Sequence, residues 1–216
     1  MIQQRKSSVP PASLSQRKSY RGDDVCRQLA EDHDGKCYLC EYPVHHLYEV
    51  EHLQSRNHYP ELTYDWQNLF LVCGACNKKK SDNFDQLPNP LTTPIETHLR
   101  IIPDLGDMGN SVQVSLLSAV PGGEQAVELI SRIHNGNNPK QGRRAKEERF
   151  HKFYMQEITR FSIALIGYRK TATPQARQAV VDMLSLQSAF LGTKYTLLRE
   201  SGMLNDFAEE TRWNRQ

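Results

Sequence analysis

The chain has 216 residues, a formal net charge of +2 and a hydrophobic fraction of 38%, with a mean hydropathy of -0.65. That length allows one large domain, or a smaller domain with a helical extension, because domains usually contain about 100–200 residues. The sequence has no run of about 18 apolar residues and no apolar signal core at its start, which argues against a membrane-spanning helix and against secretion. A cytoplasmic protein that does not bind a membrane is therefore expected.

The first 22 residues are rich in serine, proline and basic residues, and they precede the first acidic residue, Asp23. Their basic side chains are Arg5, Lys6, Arg17, Lys18 and Arg21. This asymmetry is typical of a basic arm that contacts phosphate or an acidic partner, and a solvated disordered tail is an equally good interpretation. Residues 1–22 are thus predicted to form a flexible basic arm, followed by a short helix over residues 23–34.

Four of the five cysteines form two C-x2-C pairs, Cys37 with Cys40 and Cys73 with Cys76, separated by 32 residues. Each pair can place two thiolates on one side of a metal ion, and zinc binds four such ligands in a tetrahedron. Buried free thiols or a redox dithiol are the alternatives, but two pairs in a reducing compartment favour zinc. Because no coordination position stays open, the zinc is expected to be structural, and Cys26 lies outside the pattern.

Between the two pairs the pattern predicts a strand, a loop, a second strand and a helix. The first strand ends at Glu51-His52, and the second follows Asn68-Leu69 and leads into Cys73. The helix begins near Cys76 and carries three consecutive lysines in its opening turns.

Residues 85–110 are rich in proline, asparagine, glycine and threonine, and a strand is predicted within them at Thr97–Ile102. A further strand is predicted at Val112–Val120, before the turn Pro121-Gly122-Gly123. The rest of the chain is expected to be helical.

Helices are predicted at Glu124–Ile133, at Arg143–Tyr168 and from Pro174 through Leu191, with a loop at residues 134–142. Their apolar stripes are more typical of a buried core than of a cofactor site. The stripe predicted for the last helix comprises Ala176, Ala179, Val180, Met183, Leu184, Gln187, Phe190 and Leu191.

Glu51-His52, Asn68-Leu69 and the lysine-flanked Asn77 directly after the second cysteine pair resemble the ββα-metal motif of the HNH nuclease family. In that family an Asp or Glu and a His end the first strand, an Asn precedes Leu, and a His or Asn follows the second pair. This sequence resembles the variant that ends in Asn. The resemblance implies a strand that turns at Glu51-His52, so that both side chains meet one site.

Four segments carry a closer resemblance: Val50-Glu-His-Leu53, Tyr59-Pro-Glu-Leu62, Asp65-Trp-Gln-Asn-Leu69 and Cys73-Gly-Ala-Cys-Asn77. They resemble the PtuB family, the HNH subunit of Septu anti-phage defence systems, whose retron-linked relatives share the pattern. The resemblance is strongest over residues 9–84, weaker over residues 133–144, and does not extend to the last 45 or so residues. It implies a PtuA-type ATPase subunit as partner. The retron-linked versions add a reverse transcriptase with its RNA–DNA hybrid.

The residues themselves indicate how a phosphodiester bond would be hydrolysed. His52 can accept a proton from water near neutral pH, and Glu51 with Asn77 can hold Mg²⁺ or Mn²⁺ to stabilise the leaving oxygen. Asn68 would tie the loop that aims His52. A structural histidine and a helix cap at Asn77 are the alternatives, and Glu49 is a second candidate ligand because adjacent strand residues face opposite ways.

Phosphate contacts are predicted for four basic residues near this site: Arg56, Lys78, Lys79 and Lys80. A solvated surface is the alternative interpretation of the three lysines.

Together these patterns predict an α+β, mainly helical fold with a zinc-stapled ββα-metal core and a C-terminal helical region. The expected division is an arm over residues 1–22, an HNH domain over 23–110, and a helical region over 111–216 that docks a partner. The predicted function is a metal-dependent endonuclease, acting on DNA in preference to RNA or tRNA, as effector of an anti-phage complex with an ATPase. The alternative is a zinc-ribbon module that binds nucleic acid without cutting it.

Overall fold

The fold is α+β and mainly helical, as predicted, in a computed structural model that describes residues 1–44, 48–137 and 143–213. The described strands form two antiparallel hairpins, β1 with β2 and β3 with β4. The strands are β1 (Tyr48–His52), β2 (Leu69–Cys73), β3 (Leu99–Pro103) and β4 (Val112–Leu116). The helices are α1 (Ala12–Ser15), α2 (Asp23–Asp32), α3 (Gly74–Lys80), α4 (Ile95–His98), α5 (Gly123–Asn135), α6 (Ala145–Thr171), α7 (Pro174–Asp182) and α8 (Leu191–Glu200).

The first hairpin follows from the residue pattern of its two strands. In β2 the run Leu69-Phe-Leu-Val72 is fully buried, as expected for a strand covered on both faces. In β1 the buried Val50 and His52 alternate with the more exposed Glu49 and Glu51. The hairpin therefore presents its two glutamates on one face and His52 on the other.

Helix α2 packs against this hairpin through a buried histidine. The Nδ1 atom of His33 accepts a hydrogen bond from the Leu71 backbone N–H at 3.1 Å. Burial lowers the pKa of His33 to about 3, which keeps the ring neutral and able to accept that bond. The ring also stacks on Phe70 of β2, at 5.6 Å between centroids.

The N-terminal segment is packed against the rest of the protein, so the prediction of a flexible arm over residues 1–22 is wrong. Met1, Ile2 and Leu14 are buried in the apolar core. The Lys6 ammonium donates to the backbone carbonyl oxygens of Trp66 and of Leu69, and it lies 4.2 Å from the Trp66 ring centroid. The carbonyl partners and the indole ring together offset the cost of burying the Lys6 ammonium.

The predicted helix from Pro174 through Leu191 is wrong as a single element, because it is divided into α7 and α8. Pro174 does occupy the first turn of α7, and the Thr173 side chain caps that turn by accepting from the Ala176 N–H. Helix α7 ends at Asp182, and Phe190, directly before α8, takes a left-handed conformation with a φ of +57°. Two members of the predicted stripe are exposed: Ala179 within α7, and Gln187 between the two helices.

The other predicted helices and strands after residue 85 agree with the structure to within a few residues at each end. Residues 134 and 135, predicted as loop, belong to α5, and residues 138–142 of that predicted loop lie outside the described residues. Helix α6 buries Tyr154, Ile158, Phe161 and Leu165 in the apolar core. Within the described ranges no helix is both long and apolar enough to cross a membrane.

The apolar core is continuous across residue 110, where a domain boundary was predicted. One buried cluster joins the first hairpin, including Leu69 and Phe70, to Val112 of β4, Leu129 of α5 and Tyr154 of α6. A second buried cluster holds α7 and α8 against the C-terminal half of α6. The helical region therefore packs directly on the ββα unit.

Candidate functional site

The two cysteine pairs converge on one point, as the spacing predicts. The sulfur atoms of Cys37, Cys40, Cys73 and Cys76 all lie within 4.8 Å of one another, and none of them is in a disulfide. The Cys40 and Cys73 sulfurs are 3.9 Å apart, close to the roughly 3.8 Å expected for tetrahedral ligands with zinc–sulfur bonds of about 2.3 Å. Among the described residues, no other group of three or more His, Cys, Asp or Glu side chains is placed to hold a metal ion.

Local backbone structure places both pairs. The first pair lies in a tight turn in which the Cys37 N–H donates to the Tyr42 carbonyl and Glu41 adopts a φ of +57°. The Tyr38 N–H donates to the Leu71 carbonyl, which ties this turn to β2. The second pair spans the end of β2 and the start of α3, where the Cys73 sulfur accepts from the Cys76 N–H at 3.4 Å.

The protonation of the four thiols is interdependent. Hydrogen bonds from the other thiols, that of Cys37 first, lower the pKa of Cys73, whereas hydrogen bonding with Cys37 raises the pKa of Cys76 and burial raises that of Cys40. Without a metal ion, the arrangement therefore favours the thiolate form at Cys73 and the protonated form at Cys40 and Cys76. A zinc ion favours the thiolate form of all four and matches this donor set.

Replacing Cys76 by serine removes one of the four sulfurs. We expect bound zinc to fall from about one ion per chain to none, with loss of the folded ββα unit, since structural zinc contributes roughly 10–16 kcal/mol in zinc-finger peptides. Metal content by mass spectrometry and circular dichroism measure the two effects. Cys26→Ser is the matched control and should keep its zinc; zinc retention by Cys76→Ser would contradict the assignment.

Two polar contacts join β1 to α3. The Asn77 side-chain amide donates to the Glu49 carboxylate, and the Lys80 ammonium donates to Glu51 Oε1 at 3.0 Å. Glu49 and Glu51 share one face of the strand, and Asn77 and Lys80, three residues apart, share one face of the helix. The structure therefore brings the predicted ligands Glu51 and Asn77 to the junction of β1 and α3 and adds Glu49, the alternative ligand, in direct contact with Asn77. This junction, formed by Glu49, Glu51, Asn77 and Lys80, is called the seam below.

Lys80 is part of this seam, so the prediction that it contacts phosphate is wrong. Its side chain is fully buried, and its ammonium is 3.0 Å from Glu51 and 3.8 Å from Asp85. Burial raises the pKa of Glu51, and the Lys80 charge opposes that effect by stabilising the carboxylate. The ammonium therefore serves as the internal counter-ion of the two acids.

The other three residues predicted to bind phosphate differ in their surroundings. The Lys79 ammonium is bonded to Glu147 of α6 at 2.6 Å and to Asn137 at 3.1 Å. Lys78 and Arg56 are exposed. These two side chains are therefore the ones left accessible to a phosphate.

Substituting Lys80 by methionine leaves Glu51 and Asp85 without their shared counter-ion in a largely buried site. We expect the free energy of unfolding to fall by about 3–5 kcal/mol, because breaking a buried ion pair strands the remaining charge. Urea denaturation of the zinc-loaded protein measures the change. The control Lys78→Met alters an exposed lysine and should shift stability by less than about 0.5 kcal/mol; equal stability of the two variants would refute the counter-ion role.

His52 lies on the opposite face of β1 from this seam. It still pairs with Leu69 in the hairpin register, so the strand does not turn before it as the family resemblance implies. Its Nε2 atom is 3.0 Å from the Thr63 carbonyl oxygen, and its ring lies 4.8 Å from that of Tyr20. Only 4% of the residue is exposed, and burial lowers its pKa, which favours the neutral imidazole.

The loop after β1 is held by Asn68. Its Oδ1 accepts from the Gln54 N–H at 2.8 Å, and its Nδ2 donates to the Gln54 carbonyl at 3.0 Å. These paired bonds fix the backbone two residues beyond His52. The loop-tying role predicted for Asn68 therefore has a geometric basis.

Sequence reasoning missed two residues at this site. Asp85 accepts from the Ser55 N–H and hydroxyl, at 2.8 and 2.7 Å, and lies 2.6 Å from His58 Nδ1. Tyr20 covers His52 from the N-terminal segment. No spacing signal marks either residue, because their partners are distant in the chain.

The comparisons with known proteins agree with this geometry. Residues 37–83, which contain both cysteine pairs, His52, Asn68 and Asn77, match the family model described as HNH endonuclease. These residues form an HNH endonuclease domain. The predicted family is thereby confirmed for the part of the chain that carries the zinc-binding cysteines and the first hairpin.

A curated relative is also similar to part of this chain. The chain is 35% identical over 69 residues to the Septu protein PtuB of Bacillus thuringiensis, an alignment that covers 31% of this chain and 26% of that protein. The chain thus spans about a quarter of the length of the relative it matches. No solved structure matches the chain significantly.

Proposed function

We propose that the protein is a metal-dependent endonuclease that hydrolyses phosphodiester bonds in nucleic acid, with DNA favoured over RNA and tRNA. One observation supports this above the others. The HNH match coincides with a cysteine-clamped ββα unit that carries His52, Asn68, Glu51 and Asn77. A module that only binds nucleic acid would not need this set.

His52 is proposed as the general base. Because its ring is buried on the face of β1 opposite the seam, this role requires the strand to turn so that the ring reaches a phosphate held at the seam. A hydrogen bond from Nε2 to the Thr63 carbonyl fixes the tautomer that leaves Nδ1 as the proton acceptor. Among the described residues no side chain or backbone group is bonded to Nδ1. The lowered pKa keeps the ring in the form that can take a proton from water at neutral pH.

The seam between β1 and α3 is proposed to hold Mg²⁺ or Mn²⁺. The side chains of Glu51 and Asn77, with Glu49 beside them, offer the oxygen donors that a hard divalent ion prefers. When bound, the ion would polarise the phosphate and stabilise the leaving oxygen. The Lys80 ammonium stabilises the Glu51 carboxylate against the effect of burial, and Lys78 and Arg56 are proposed to contact flanking phosphates.

Replacing His52 by alanine tests the proposed function. Loss of a general base is expected to slow plasmid nicking by about 100- to 10,000-fold in the presence of Mg²⁺ or Mn²⁺. The same assay on single-stranded DNA and tRNA identifies the substrate. His98→Ala changes a histidine on α4 outside the HNH match and should cleave like the parent.

Zinc content should be equal in the two histidine variants, so that an effect on folding is separated from one on chemistry. Undiminished nicking by His52→Ala would exclude the catalytic role, and absence of cleavage by the parent on every substrate would favour the binding-module alternative.

We also propose that the protein is the effector nuclease of an anti-phage complex with an ATPase subunit of the PtuA type. The similarity to a Septu protein supports this partner. The residues predicted for docking, 111–216, include two large apolar side chains exposed on α6, Ile163 at 64% and Ile166 at 53%. A retron reverse transcriptase with its RNA–DNA hybrid stays a prediction, and no described feature favours it.

Co-expression with a PtuA-type ATPase, followed by size-exclusion chromatography, tests the partner. The two chains should co-elute. The double variant Ile163→Glu with Ile166→Glu should abolish co-elution, because burying two unpaired carboxylates in an apolar interface has a large free-energy cost. Lys170→Glu on the same helix is the control. Separate elution of the two wild-type chains, with full nuclease activity in the isolated one, would count against the complex.

A further inference from the structure

The N-terminal segment delivers an aromatic side chain to the HNH domain from outside its matched residues. Tyr20 meets the His52 ring at 4.8 Å with an interplanar angle of 61°. Its backbone position is set by the contact between α1 and α2, where the Ser13 N–H donates to Asp24 Oδ2 at 2.9 Å. Gly22 permits this approach, since a Cβ there would lie 2.3 Å from the Ser13 hydroxyl oxygen. Tyr20 is therefore held in place by a packed element.

Two guanidinium groups lie against the ring of Tyr20. The Cζ atoms of Arg21 and Arg56 are each 5.0 Å from the Tyr20 ring centroid. Arg21 precedes α2, whereas Arg56 lies in the loop that follows β1. One aromatic ring thus gathers cations from two separate segments beside His52, and such contacts restrict the rotamers of side chains that are otherwise mobile.

Of the fifteen arginines in the described part of the chain, seven are ion-paired with a carboxylate, whereas Arg21 and Arg56 are not. Arg100, Arg132 and Arg177, for example, are ion-paired with Glu200, Glu128 and Glu210. Within the described ranges neither Arg21 nor Arg56 has a carboxylate within ion-pair distance, and both are exposed.

We propose that Arg21 and Arg56, held by Tyr20, form a clamp that binds backbone phosphates of the substrate strand next to the scissile bond. This inference rests on the proposed nuclease function. Planar guanidinium groups bind phosphate through paired hydrogen bonds, and two unpaired ones beside the proposed base supply the positive charge that a polyanionic strand requires. Tyr20 is a positioning residue in this arrangement, because it acts on the substrate through the two arginines.

The clamp predicts that removing either arginine makes DNA affinity less dependent on salt concentration. Each phosphate neutralised by a cation contributes about 0.9 to the slope of log affinity against log salt concentration for duplex DNA. Arg21→Gln and Arg56→Gln should each lower that slope by about 0.9, and the double variant by about twice as much. Fluorescence anisotropy with a labelled DNA duplex, across a NaCl series without added Mg²⁺, measures the slopes of the zinc-loaded full chain.

Tyr20 and a control arginine complete the set of variants. Tyr20→Ala should weaken DNA binding like an arginine variant, and Tyr20→Phe should restore it, because the ring and not the hydroxyl holds the guanidiniums. Arg27→Gln changes an exposed arginine of α2 away from the clamp and should leave both slope and cleavage unchanged. In cleavage assays the clamp variants should raise KM with kcat retained, a split that a general loss of structure does not give.

The outcomes separate this inference from the proposed function. Unchanged salt slopes in the double variant would overturn the clamp, even if His52→Ala still abolished nicking. Equal binding of a polyglutamate peptide, with the same dependence on Arg21, would overturn the assignment to nucleic acid. Arginine-dependent slopes in a parent protein that cuts nothing would support the clamp and refute the nuclease.

Discussion

Four sulfur atoms within 4.8 Å of one another set the geometry around the candidate site. They fix the turn at residues 37–40 against the junction of β2 and α3, and so close the 32-residue segment that carries β1, the loop and β2. The four sulfurs come together only when this segment is folded, so zinc binding adds its free energy to the folded state. His52, Asn68 and both glutamates of β1 lie inside the clamped segment. Their positions therefore depend on a metal ion that takes no part in the proposed chemistry.

Negative charge at the seam between β1 and α3 is partly neutralised by one internal cation, Lys80. Lys80, Glu51 and Asp85 form a compact buried group, and Asp85 in turn holds the Ser55 loop through two hydrogen bonds. An unpaired carboxylate in such a place would be costly, and the ammonium offsets that cost. A divalent ion bound to Glu51 would share that carboxylate with Lys80, whose charge limits how tightly the ion is held. Loose binding suits an ion that must also contact a phosphate.

Much of the zinc centre and the ββα unit is predictable from the sequence, because ligand spacing and strand alternation are local signals. The burial of Lys80 was open to prediction as well, since it lies three residues after Asn77 and must share that residue's helix face. Three adjacent lysines nevertheless resemble a solvated surface. The packing of residues 1–22 was not predictable, because Lys6 is stabilised by carbonyl oxygens 60 and 63 residues away, and no local pattern reveals such partners. The interruption before α8 was missed for a different reason, because apolar residues recur at helical spacing as far as Phe190.

The uninterrupted core between the first hairpin and α5 and α6 has an evolutionary consequence. Leu69 and Phe70 share one buried cluster with Leu129 and Tyr154, so the HNH unit here is not a cassette that could be moved intact to another chain. Insertion or exchange of the segment around residue 110 would have to preserve the surfaces on both sides of it. The nuclease unit and its helical companion are therefore expected to change in concert, with substitutions on one side compensated on the other.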